Sequence, residues 1–284
     1  MSEITRMSTT VIDCPKHGQQ EVCSIVTPFR TITAMCPECI AEREREEEEE
    51  RSAEMARAEL ERLERAGIRE RYRECTLDNY DPRNDSQEKA LAMCRELIAG
   101  KIENLVLFGS NGVGKTHLSC GVIKQMGGRR HTVYELVCLL HECYSPKAIR
   151  TELQLVKELG SLPLLVIDEL GGTRGTPSEM AFLSAVIDER HSRRKPIMIL
   201  TNLTRREKCA MYNRSHAACA TCEKQNCIER YLNNDALSRL SDSGAKVDIV
   251  GDDFRRKNGK NARQKAIDYV LYNHRATESP TTGF

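Results

Sequence analysis

The sequence has no apolar run of 18 residues, no apolar stretch near its N-terminus and almost no net charge, +1 over 284 residues. The first absence excludes a helical membrane span, which needs about 20 mostly apolar residues. The second excludes a secretory signal core. The third excludes a global field that would draw in nucleic acid, so any such contact must rest on local patches. Together they predict a cytoplasmic protein. Cysteine, by contrast, is plentiful: there are 13. The odd count excludes complete disulfide pairing, and clustered thiols in a reducing compartment point to metal. Cys94, Cys120 and Cys138 stand singly on apolar helical patterns and read as small buried hydrophobes.

The chemistry concentrates at Gly109-Ser110-Asn111-Gly112-Val113-Gly114-Lys115-Thr116, which fits the P-loop pattern G-x-x-x-x-G-K-[ST]. That pattern carries meaning only between a strand and a helix. Leu105-Val106-Leu107-Phe108 supplies a short apolar strand, and residues 117–126 supply a helix with Leu118, Val122 and Ile123 at helical spacing. Glycines let the backbone approach a polyphosphate, and N–H groups at the helix start face the anion. Lys115 would reach the β- and γ-phosphates of a nucleotide such as ATP, and Thr116 would meet Mg²⁺.

Downstream, Leu162-Pro-Leu-Leu-Val-Ile-Asp168-Glu169 is an apolar strand ending in two carboxylates, the Walker B arrangement. Asp168 would help hold Mg²⁺, and Glu169 would polarise an attacking water. Lys195-Pro-Ile-Met-Ile-Leu-Thr201-Asn202 is a further apolar strand with a polar tip. Ligands bind at the edge where parallel strands end, which brings Asn202 beside Asp168 and the γ-phosphate. Helices are expected over residues 86–99, 136–144, 149–159 and 177–190, with another strand over 131–135. Strands alternating with helices predict an α/β fold whose parallel sheet is covered on both sides.

The N-terminal 40 residues read differently. Cys14 and His17, then Cys36 and Cys39, form two pairs with two residues inside each. That spacing suits a tetrahedral Zn²⁺, with Cys23 as an alternative to His17. An arm this short needs such a staple. Residues 41–66, rich in Glu, Arg, Ala and Leu, predict a solvated helix ended by Gly67. A second cysteine group, Cys209, Cys219, Cys222 and Cys227, contains a C-x-x-C and suggests another metal site, with His216 as a possible substitute.

The P-loop, the Asp-Glu and Thr-Asn strands and the preceding Thr76-Leu77-Asp78-Asn79-Tyr80 resemble the DnaC/IstB-type AAA+ ATPases over about residues 72–257. The layout is most similar to that of phage or prophage DnaC-like helicase loaders. The resemblance implies an AAA+ three-layer sandwich, with Lys115 and Thr116 as Walker A, Asp168 and Glu169 as Walker B and Asn202 as sensor 1. It also implies that Arg239 is the arginine finger reaching a neighbour's ATP site, although Ser238 stands where the family commonly has Asp. It further implies ATP hydrolysis, assembly into a hexameric spiral, contact with single-stranded DNA and delivery of a DnaB-type helicase, which the N-terminal module would grip. The cysteines of the second group are a departure from the family pattern.

The expected organisation is a zinc module over 1–40, a charged linker over 41–70, an ATPase domain over 71–262 with an insertion at 207–230, and a basic tail over 263–284. Basic clusters at Arg129-Arg130, Arg193-Arg194-Lys195, Arg205-Arg206 and along 251–265 are candidate phosphate-backbone contacts. Two rival functions remain: a transposition-helper ATPase of the IstB type and a zinc-dependent scaffold that binds ATP without useful turnover.

Overall fold

The computed structural model describes residues 6–26, 30–205 and 227–254. The chain divides into two compact units, Met1–Arg62 and Leu63–Phe284.

The first unit begins with strands β1 (Arg6–Cys14), β2 (Gly18–Val26) and β3 (Thr31–Thr33), which form an antiparallel sheet in that order. The β1–β2 turn closes on Cys14 opposite Gly18, whose φ of 70° needs no Cβ. Helix α1 (Pro37–Arg65) starts earlier than its composition suggests. Pro37 suits a first helical turn because its missing N–H would have no partner there. Cys39 therefore rides on the helix rather than in a loop. Exposed pairs such as Arg51–Glu48 and Arg62–Glu59 line α1, each contributing a few tenths of a kcal/mol.

The second unit begins as α1 ends. Gly67, at φ 73°, lets the chain reverse, with its N–H donating to Glu64 and that of Ile68 to Leu63. The sheet that follows contains β4 (Asn104–Gly109), β5 (Arg129–Thr132), β6 (Leu165–Leu170), β7 (Ile197–Thr201) and β8 (Gly244–Ile249). Every neighbouring pair is parallel, in the order β5-β6-β7-β4-β8. Inside each strand, alternate residues feed two separate cores. Leu105, Leu107, Val166, Met198 and Leu200 pack toward α2 (Asp85–Ile98) and α3 (Lys115–Met126). Val106, Phe108, Ile167 and Ile199 pack toward α4 (Val133–Glu142), α5 (Glu152–Ser161), α6 (Pro177–Ser192) and α7 (Asn234–Ser241). This is the expected three-layer sandwich. None of the described helices is long and apolar enough to cross a membrane.

Two expectations need correction. The strand foreseen over 131–135 stops at Thr132, because the Thr132 side chain caps α4 and Glu135 returns the bond to the Thr132 N–H. The strand β8 was not foreseen, although Val247 and Ile249 are buried while Lys246 and Asp248 are partly exposed. The isolated cysteines behave as expected at two positions: Cys94 and Cys120 are fully buried, and burial pushes both thiols up to about 12. Cys138 is only half-buried.

Arg190 is fully buried on α6 and donates to the carbonyls of Leu159 and Pro196 at 2.5 Å and of Leu162 at 3.1 Å. Burial holds its guanidinium down to about 10, so it remains charged at neutral pH. It ties α6, the end of α5 and the start of β7 together; of its acceptors, the Pro196 carbonyl also takes the Leu165 N–H at 3.4 Å. Replacement Arg190→Ala strands the Leu159 and Leu162 carbonyls, removes the shorter bond to Pro196 and is expected to cost about 3 kcal/mol or more, read from urea denaturation.

Candidate functional site

The order of the sheet places the carboxyl end of β7 between those of β4 and β6. Each end carries polar groups: the P-loop after β4, Asp168 and Glu169 in β6, and Asn202 just after β7. Lys115, Thr116, Asp168, Glu169 and Asn202 all line one cleft of about 560 Å³, a size that suits a nucleotide-sized ligand. Of the remaining motif residues, Asn111, Gly112, Val113 and Gly114 also line it. Gly109 and Ser110 instead turn their carbonyls toward the Lys115 ammonium, at 2.7 and 2.8 Å.

The loop's shape depends on glycine at Gly112 (φ 81°) and Gly114 (φ 99°). Space matters as well as backbone angle. A Cβ on Gly114 would stand 2.7 Å from the Tyr80 ring, and one on Gly112 would collide with Asp253. Tyr80 is held in turn. Its ring meets His117 edge-on at 5.3 Å. His117 Nε2 lies 2.9 Å from both the Thr76 carbonyl and Asn79 Oδ1. Asn79 Oδ1 accepts from the Thr76 N–H, and the Asn79 N–H donates back to the Thr76 hydroxyl. The stretch from Thr76 to Tyr80 is thus a self-bonded turn that presses an aromatic wall onto the P-loop. Sequence reasoning noted this stretch as a family marker and missed that role.

At the opposite wall, Thr116 Oγ1 donates to Asp168 Oδ2 at 3.1 Å, and Asp168 Oδ1 accepts the Glu169 N–H at 2.8 Å. Glu169 has a left-handed backbone, φ 58°, at the point where the β6–β7 register shifts. That conformation costs a non-glycine residue about 1 kcal/mol. It also turns the Glu169 side chain out of the ladder, where it is exposed in the cleft. The loop beyond is braced by Tyr231, whose buried hydroxyl donates to Gly171 and Thr173 carbonyls at 3.2 and 3.3 Å.

Arg130 corrects the sequence reading. It is buried, not available to a phosphate backbone, and its Nε and Nη2 donate to Asp168 Oδ2 at 2.9 and 2.8 Å. Burial alone would lower its pKa, but the Asp168 charge and hydrogen bonds raise it above the ordinary value. In the other basic clusters, Arg193 pairs with Glu189 and Arg205 with Asp248. Arg206 and the residues from 255 onward lie outside the described residues. Arg239 does not line the cleft of its own chain; it pairs with Asp188 at 2.9 Å and is about one-third exposed.

The N-terminal cluster is separate. One ligand atom from each of Cys14, His17, Cys36 and Cys39 comes together, all within 4.8 Å of one another, the single such group among the described residues. His17 turns Nδ1 toward the sulfurs at 3.4 to 3.7 Å and Nε2 toward Glu42 at 3.1 Å. Backbone N–H groups of Lys16 and His17 bring the Cys14 thiol down to about 6. Hydrogen bonding to Cys14, then burial, pushes Cys39 up to about 11. Soft donors at this spacing, one already favouring the thiolate, suit zinc. Cys23 is exposed on β2 and outside the group. Of the second cysteine group, Cys209, Cys219 and Cys222 (with His216) lie outside the described residues. Cys227 is buried, its backbone bridged to Thr204.

The family described as IstB-like ATP binding protein matches residues 38–262. The replicative helicase loader DnaC of Escherichia coli K12 is 28% identical over 164 residues, 55% of this chain and 65% of that protein. The match therefore spans just under two thirds of that relative's length. The uncharacterized protein YdaV of Escherichia coli K12 is 29% identical over 189 residues, 63% of this chain and 75% of that protein. A crystal structure of the DnaC helicase loader superposes with a TM-score of 0.50 at 24% identity, covering 64% of this chain and 100% of that one, a likeness of fold.

The close fit of Gly114 under Tyr80 gives a direct test of the loop geometry. Gly114→Ala forces both a positive-φ alanine and a ring displacement. It is expected to weaken ATP binding by about tenfold or more, equivalent to about 1.4 kcal/mol, while the circular dichroism spectrum stays native.

Proposed function

The chain belongs to the IstB-like ATP-binding protein family, and from that premise we propose that it is an ATP-driven loader of a replicative helicase. The observation that carries the reading is the junction of P-loop and Walker B strand. Thr116 and Asp168 are in direct contact, with Glu169 exposed in the same cleft. Lys115 binds the β- and γ-phosphates of ATP. Glu169 orients water for in-line attack and takes its proton. Asn202, which lines the same cleft, contacts the γ-phosphate in this scheme. The hydroxyl of Thr116 and the carboxylate of Asp168 are hard oxygen donors that fit Mg²⁺, which neutralises charge on the phosphates when bound.

Arg239 belongs to the neighbour's reaction in this scheme. Its position outside its own cleft supports a role across a subunit boundary, in a hexameric spiral formed with or on the helicase. The identity with the loader DnaC supports the helicase as partner. Single-stranded DNA is the second macromolecular partner. The connection between α4 and α5 exposes Tyr144, Lys147 and Ile149, an aromatic and a cation of the kind that suits an unpaired strand. Cys14, His17, Cys36 and Cys39 would hold Zn²⁺ as a closed four-ligand site. Such a site supplies folding energy and leaves no position for a catalytic water.

The family description also fits a transposition-helper ATPase. The two readings part at the partner. Affinity capture with the replicative helicase of the same cell, with ATP present, is expected to recover the complex; no capture with or without ATP rejects the loader. In the same assays Glu169→Gln should lower turnover by about 100-fold while retaining ATP binding. Negligible hydrolysis by both proteins, even with DNA and helicase present, would instead favour a non-hydrolysing scaffold. For the N-terminal site, Cys39→Ser is expected to remove one equivalent of zinc, measured by atomic emission on purified protein. Unchanged metal content counts against this site.

A further inference from the structure

The Asp168 carboxylate has little freedom. Oδ2 accepts from Arg130 Nε, Arg130 Nη2 and Thr116 Oγ1, and Oδ1 accepts from the Glu169 N–H. Arg130 is itself anchored on its far side. Its Nη1 donates to the Gly67 carbonyl at 3.4 Å, and its backbone N–H donates to the Ala66 carbonyl at 2.8 Å. Gly67 approaches so closely that a Cβ there would collide with the Arg130 carbonyl oxygen. Residues Ala66 and Gly67 directly follow α1.

We propose that Arg130 is a positioning residue for the ATPase site, fixing Asp168 and coupling that carboxylate to the end of α1. The inference rests on ATP·Mg²⁺ binding at the P-loop.

Stability alone is a poor reason for this pair. A buried ion pair often contributes no more than an apolar pair of similar volume, because both charges must leave water. Strand β5 could accept an apolar side chain in place of Arg130, since the neighbour in register is Val166. What the guanidinium adds is direction. Two donors of one rigid plane converge on a single oxygen, so the carboxylate cannot rotate without breaking both bonds. Its other oxygen then holds the Glu169 N–H, and with it the left-handed turn that presents Glu169 to the cleft. A shift at Ala66 or Gly67 therefore moves Arg130 and reaches two Walker B residues through a continuous set of hydrogen bonds. By reciprocity, a change at Asp168 on nucleotide binding must be felt at the end of α1.

The test titrates Mg²⁺ against binding of a fluorescent ATP analogue to full-length wild type, Arg130→Lys and Arg130→Met. Outer partners of metal-holding carboxylates typically set affinity by 10–100-fold. Both variants are therefore expected to need about tenfold more Mg²⁺ for half-maximal tight binding, with Mg²⁺-free binding changed by less than about twofold. Folded variants with wild-type Mg²⁺ dependence would overturn the proposal. So would equal weakening with and without Mg²⁺, the mark of a merely structural role. Full rescue by lysine would overturn positioning as well, leaving only a counter-charge. Should neither variant fold, amide hydrogen exchange on wild type decides. Protection at Gly67, Ile68 and Arg130 should differ between ATP with Mg²⁺ and ATP with chelator, and identical protection rejects the coupling. Wild-type binding that ignores Mg²⁺ would defeat the ATP·Mg²⁺ reading itself, an outcome distinct from variants that match a Mg²⁺-dependent wild type.

Discussion

Arg130 and Asp168 are both about 96% withdrawn from water, and they lie 2.8 Å apart as a buried ion pair. Removing either would leave an uncompensated ion inside the protein, an arrangement that costs several kcal/mol. The surrounding architecture makes the pair possible. Parallel pairing brings Thr132 opposite Asp168, with Arg130 two residues back on the same strand. Thr132 then leaves the sheet at once by capping α4. The edge strand stays short, and its one buried cation lies against the carboxylate that the P-loop threonine also needs. Sheet topology, helix capping and site electrostatics are here consequences of the same few residues.

The opposite wall shows a different kind of constraint. Around Asp168 the limiting quantity is charge; around Gly114 it is volume. The turn at residues 76–80 uses its Asn and Thr side chains on its own backbone, which frees Tyr80 and His117 to pack against the loop. Leu77 from the same turn is buried beside Gly121, where a Cβ would stand 2.8 Å from the Leu77 backbone nitrogen. The first turns of α3 are therefore held near their phosphate-facing end by close packing. Lys115 is already bent back over the loop, where carbonyl dipoles satisfy its ammonium. A triphosphate would offer that ammonium a stronger acceptor at little conformational cost.

The motifs legible in the sequence share a property: they announce themselves locally. Gly109 to Thr116, the apolar run ending in Asp168 and Glu169, and the run ending in Asn202 each needed only their immediate neighbours. What stayed hidden depends on partners far along the chain. Arg130 beside Arg129 looks like a basic surface pair, and only the pairing of β5 with β6 makes it a buried counter-ion 38 positions before Asp168. Strand β8 was obscured because its polar residues are interleaved and the strand finds its place only against β4. Thr132 carries strand propensity, yet Glu135 three residues on converts it to a cap. That capping-box spacing was readable, and weighing it would have ended the strand correctly.

The N-terminal unit lacks this kind of interior. Its sheet leaves Met7, Val11 and Ile32 more than 40% exposed, while Val22 and the cysteines Cys14 and Cys36 are among its few buried groups. Three strands with mostly exposed side chains and the start of a solvated helix cannot withdraw enough apolar surface to offset the entropy of ordering them. What the unit concentrates instead is thiol and imidazole, with Glu42 of α1 holding the far side of the His17 ring. That outer bond fixes Nε2 as the donor and leaves Nδ1 for the cluster. Cys36 directly precedes α1 and Cys39 lies in its first turn, so the cluster joins the β1–β2 turn to the helix at the place where a larger domain would have a hydrophobic core. The donor set thus stands where the core of the unit would be, and a cation held by these donors would supply the order that apolar burial does not.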